Sequence, residues 1–74
     1  MKNTITVLDI TLLWHGSIQE YISNGSACQY AAIRTKAGKW YAGYYNDNEV
    51  FADMAPGTFD TPEEAAEEAI KFFA

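Results

Sequence analysis

The sequence predicts an α+β domain: an antiparallel sheet of three to four strands packed against a C-terminal α-helix, with a short helix before the central hairpin. Three observations predict it. Residues 58–73 carry the marks of a capped amphipathic helix, residues 28–45 form two β-rich runs about Ala37-Gly38, and residues 3–8 alternate with β-branched side chains. The 74 residues make one small domain, 1–74, with no repeat, low-complexity tract or linker.

The elements follow in chain order. Ile5, Val7 and their flanking threonines predict a strand over residues 3–8. Residues 9–16 stay open between strand and helix, because Ile10, Leu13, Trp14, Ile18, Tyr21 and Ile22 fit one helical face while Gly16 and the β-branched residues favour a strand. Ser17-Ile18-Gln19-Glu20 has capping-box spacing and Asn24-Gly25 is a helix stop, which predicts a helix over residues 18–23.

Residues 28–35 and 39–45 then read as two strands joined at Ala37-Gly38, with Gly38 free to take a positive φ. A turn at Asn46-Asp47-Asn48 leads to a third strand over residues 49–54, and Pro56-Gly57 breaks the chain. In the final helix Thr61 is the N-cap, Pro62 takes the first helical position, and Glu64 completes a Thr-x-x-Glu box.

A Lys36–Lys39 pairing would put Ala31, Ile33, Trp40, Ala42, Tyr44 and Phe51 on one sheet face as core. The helix offers Ala65, Ala66, Ala69, Ile70, Phe72 and Phe73 to it, small alanines allowing close approach. The opposite face would carry Tyr30, Arg34, Tyr41, Tyr45 and Val50. Whether that face is a binding surface or is covered by the N-terminal elements is left open.

Composition narrows the chemistry. An apolar share of 49% suffices for a core, and a single cysteine, Cys28, excludes an internal disulfide and a cysteine-based zinc site. No run is long and apolar enough to span a bilayer, so a cytoplasmic protein is expected. The net charge of −5 disfavours nucleic-acid phosphates and favours a partner with a basic surface.

Catalytic signatures are missing: no phosphate-binding glycine loop, zinc-ligand helix or nucleophile elbow occurs. His15 reads as a turn residue and Cys28 as a small buried hydrophobe. The expectation is no catalytic residue, no metal and no cofactor. The candidate partner-binding residues are Tyr30, Arg34, Tyr41 and Tyr45, as large anchors, with Glu63, Glu64, Glu67 and Glu68 as a row of charge on a rigid helix. A competing set is Arg34, Lys36, Lys39 and Tyr41, three cations and a stacking ring at the hairpin tip, which could touch a nucleic-acid backbone.

Gly38-Lys39-Trp40-Tyr41, followed by Phe59-Asp60-Thr61-Pro62-Glu63-Glu64-Ala65, gives residues 30–73 a pattern that resembles the arm-site DNA-binding domain of tyrosine-type integrases. The resemblance implies a three-stranded sheet plus helix that reads DNA through sheet cations. Here those positions hold tyrosine, alanine, asparagine or acid, apart from Arg34, Lys36 and Lys39. The strand and helix order also resembles double-stranded-RNA-binding domains, with Thr-Pro-Glu-Glu where those start their helix with basic residues. In its size, acidity and single domain the chain is similar to small phage and mobile-element inhibitors, including anti-CRISPR proteins.

Together these readings lead to a non-enzymatic protein-interaction module, a small acidic inhibitor of a nucleic-acid-handling complex in a bacterial or phage-infected cell. Weak nucleic-acid binding through an integrase-like sheet is the alternative. A homodimer through the aromatic face or an edge strand is the third.

Overall fold

The computed structural model describes residues 2–25, 28–46 and 52–74. Among these residues six strands, β1 (Thr4–Val7), β2 (Ile10–His15), β3 (Glu20–Ser23), β4 (Gln29–Arg34), β5 (Trp40–Tyr45) and β6 (Asp53–Met54), precede one helix, α1 (Pro62–Phe72). They form a single antiparallel meander in the order β1-β2-β3-β4-β5-β6. The α+β class and the C-terminal helix agree with the sequence reading, while the sheet is larger than three to four strands. Residues 49–51 of the predicted third strand, with Val50 and Phe51, lie outside the described residues, as do Asp47 and Asn48 of the predicted turn.

The ambiguous stretch is β2. It enters from β1 through a two-residue turn in which Leu8 (φ 50°) and Asp9 (φ 66°) both occupy left-handed backbone. That is the turn type whose twist suits a two-residue hairpin, built here without the usual Asn-Gly pair.

The predicted helix over residues 18–23 is absent; Glu20–Ser23 is β3. Its first three capping-box residues, Ser17, Ile18 and Gln19, instead lie in the loop between β2 and β3, where Gln19 adopts φ 57° and its Nε2 donates to the Gly16 carbonyl at 2.9 Å. Local capping yields because Tyr21 and Ile22 gain more as cross-strand partners of Trp14 and Leu13 and, on the other side, Ala32 and Ala31.

The hairpin between β4 and β5 also departs from expectation by one residue. Arg34 opposes Trp40, and Thr35 N donates to Lys39 O at 2.8 Å, so the loop is Lys36-Ala37-Gly38 with Gly38 at φ 82°. The Thr35 hydroxyl accepts from Lys39 N at 3.1 Å and steadies this longer loop. A one-residue change of register turns a whole strand over. Ala31 and Ile33 therefore face away from Trp40, Ala42 and Tyr44, while Tyr30, Ala32 and Arg34 join them.

The helix covers that second face. Ala65, Ala66 and Ala69 are fully buried and meet Ala32, Ala42 and Trp40, the alanines on both layers letting α1 lie close on β4 and β5. It also touches β1, so the sheet curls over α1 and brings Ile5, Val7 and Leu12 into the same core. Trp14, Tyr21 and Trp40 form a ring cluster with centroids 4.8 to 6.2 Å apart. The buried Tyr21 hydroxyl donates to Lys2 O at 2.8 Å, which removes the cost of burying it.

The start of α1 is fixed as its sequence implies. Thr61 is extended, and its hydroxyl accepts from Glu64 N at 3.2 Å. The return half of the box differs, since the Glu64 carboxylate accepts from the Thr61 hydroxyl at 3.1 Å. Phe59 bridges to β5 just upstream, and Lys39 forms an ion pair with Asp60, which together set where the helix begins.

Candidate interaction surfaces

The register assigns each strand residue to a side, and the side away from α1 has no second layer among the described residues. Pairing across the sheet aligns Leu13, Ile22, Ala31, Gly43 and Met54 in one row, and His15, Glu20, Ile33 and Tyr41 in the next. Ala31 and Gly43, between the larger Ile22 and Met54, are buried beneath neighbouring side chains. A hollow of about 480 Å³ on this side is walled by Ile18, Ile22, Ile33 and Met54, with Ala52, and polar at Glu20, Gln29 and Tyr45.

Apolar side chains on this side are notably open. Ile18 is 51% exposed and Met54 48%, and Leu13 and Tyr41 are exposed beside them. Gly43 also serves a close approach: a Cβ there would lie 2.7 Å from Ile33 Cδ1, so the glycine lets Ile33 lean over β5.

Glu20 is the exception in this apolar setting. It is only 9% exposed, and its Oε1 accepts from the Tyr45 hydroxyl at 2.5 Å. Tyr45 lies two rows from Glu20, so its ring reaches across Ala31 and Gly43, where small residues leave it space. Burial, followed by the bond to Glu20, raises the Tyr45 phenol well above its ordinary range. Among the described residues the ion pairs are Lys39–Asp60 and Lys71–Glu67, so no cation is paired with Glu20.

The sequence-predicted site is thus divided between two sides. Tyr41 and Tyr45 are on the uncovered side. Tyr30 and Arg34 are on the helix side, a correction that follows from the longer hairpin loop. Tyr30 packs by Tyr44 at a ring distance of 5.6 Å, and Tyr44 stacks on Phe73 at 5.0 Å. Cys28 is exposed, not buried as expected, and its hydrogen bond is the main cause that raises the Tyr44 phenol to about 12. His15 ends β2 and is exposed.

The four glutamates do come together. Glu63, Glu64, Glu67 and Glu68 line a groove of about 500 Å³ with Phe59, with Thr6 and Val7 of β1 and with Leu8 of the turn after it. Glu63 and Glu68 are partly covered there, and Glu67 accepts from Lys71 at 3.1 Å. Leu8 is 53% exposed at the rim.

The basic set at the hairpin tip is only partly available. Lys39 is engaged by Asp60, which raises the lysine and lowers the carboxyl from their ordinary ranges by hydrogen bond and charge. Arg34 Nη1 donates to Gln19 Oε1 at 3.4 Å, and Lys36 is exposed beside it. No group of three or more His, Cys, Asp or Glu side chains able to hold a metal forms among the described residues, and none of their helices is long and apolar enough to cross a membrane.

Sequence reasoning missed Glu20, Ile22, Ile33 and Met54 as neighbours. Their signal was Gly43, whose missing side chain admits Ile33, and it gains meaning only once the strands are in register. Comparison with protein-family models, with curated proteins and with solved structures finds no match for this chain.

Proposed function

We propose that this protein is a non-enzymatic interaction module that docks a basic protein partner on the uncovered side of its sheet. The reading is carried by the hollow on that side, walled by Ile18, Ile22, Ile33 and Met54, and by the exposed side chains of Leu13, Ile18, Tyr41 and Met54 on the same side. Large exposed apolar side chains gathered on one side of a small domain mark an interaction site. The net charge of −5 and the α1 glutamates select the partner's sign and speed its approach.

A protein that handles nucleic acid has the required basic surface, and an acidic module seated on it would exclude the nucleic acid. This makes the proposed role that of a small inhibitor, the kind of protein the chain resembles in size and charge. Lys39 being held by Asp60 weighs against the nucleic-acid alternative.

The experiment compares inhibition of purified nucleases and recombinases by the unaltered protein and by the Ile18→Glu/Met54→Glu pair, both at surface positions. Inhibition that is salt-sensitive and lost in the pair is expected. Inhibition unchanged in the pair would refute the proposed face. A gel shift of DNA or RNA at low salt by the unaltered protein would favour the hairpin-tip reading, and dimerisation abolished by the pair in sedimentation would assign the face to a second copy.

A further inference from the structure

We propose that the Glu20–Tyr45 end of the hollow receives an arginine side chain of the partner. The inference rests on the uncovered side being a docking surface and adds what that surface recognises. A carboxylate taken out of water is costly unless it is paired and hydrogen bonded. Glu20 is nine-tenths buried, receives a bond from Tyr45, and is paired with no cation among the described residues.

A carboxylate has about four acceptor positions, of which, among the described residues, the phenol fills one. The surroundings fit a guanidinium better than an ammonium. Ile22 and Ile33 offer apolar surface for a long aliphatic stem, and the weakly hydrated planar head loses less on entering an apolar hollow than a compact ammonium does. Gln29, at the same hollow, places a side-chain amide within the lining whose oxygen can accept from a further N–H. Tyr45 positions the carboxylate, so the cation meets a fixed acceptor.

The test titrates isotope-labelled protein with two peptides, acetyl-Ile-Leu-Arg-Leu-Ile-amide and its citrulline counterpart, which keeps the shape and removes the charge. Saturable amide shifts at Glu20, Ile22, Ile33 and Tyr45 are expected, with the arginine peptide bound roughly tenfold or more tightly, as a hydrogen bond to a charged group implies. Glu20→Gln should erase that preference. Should this variant fail to fold, the two peptides on the unaltered protein decide the matter. Equal binding in the hollow would overturn the arginine anchor and leave the docking face standing. Shifts confined to α1 would overturn the anchor by placing the cation on the helix glutamates. Binding by neither peptide would overturn the anchor, while the inhibition assay judges the face separately.

Discussion

The Tyr45 hydroxyl donates to the Glu20 carboxylate across the intervening strand β4, joining β5 to β3 on the side of the sheet that α1 does not cover. The bond needs the phenol protonated. Its folded-state value is raised above the ordinary 10.0, and Tyr44 on the opposite side is raised to about 12.

The sign of the pH dependence follows. Below pH 10 both folded and unfolded chains keep these protons, so their contribution to stability is fully present and does not vary with pH. As pH rises beyond 10 the unfolded chain releases them first, and stability falls. Urea midpoints measured across the alkaline range should drop for the unaltered protein and drop less steeply for Tyr45→Phe. An identical slope in the two proteins would remove Tyr45 from this account.

The turn between β1 and β2 places Leu8 and Asp9 at positive φ, where a leucine is strained and glycine or asparagine is not. Leu8→Asn with Asp9→Gly should stabilise the fold by about 1 kcal/mol. For a domain of this size that raises Tm by about 4 to 8 °C. Thermal unfolding followed by circular dichroism gives the answer, and a lowered Tm would contradict the turn geometry.

Thr61→Ala removes the hydroxyl that caps Glu64 N. A loss of about 1 kcal/mol is expected, since N-cap truncations cluster there. Thr61→Ser should retain most of the stability, which separates the capping bond from general sensitivity at this position.

Ala66 is fully buried where α1 lies on the sheet. Ala66→Leu has no room and should cost about 1 to 3 kcal/mol, whereas Glu67→Leu one residue on, at an exposed position, should not. Chemical denaturation of the two variants compares them directly. Equal midpoints would mean that the helix does not seat as closely as its alanines allow.

Some of this architecture was readable because the deciding information was local. Thr61-Pro62 and the alanine stripe define α1 without reference to any partner, and Ile5 and Val7 alternate clearly enough to define β1. Glu20 through Ser23 was misread because a capping-box pattern is also local, while the advantage of pairing Tyr21 with Trp14 and Ala32 lies in distant residues. The face assignment of β4 hung on one loop residue. Two readings of Lys36-Ala37-Gly38 differ little in local preference, yet they send Tyr30 and Arg34 to opposite sides. That is why Tyr41 and Tyr45 were placed with the wrong companions and why the Glu20 hollow was not foreseen.

The meander carries a consequence for misfolding. Each strand pairs with its neighbour in sequence, so the sheet can assemble from short loops, but α1 reaches back to β1 from the far end of the order. Until the helix docks, Trp14, Tyr21 and Trp40 are open on one side and Leu13, Ile22 and Met54 on the other. A sheet with two apolar sides would stack on copies of itself, and docking of α1 closes one of the two.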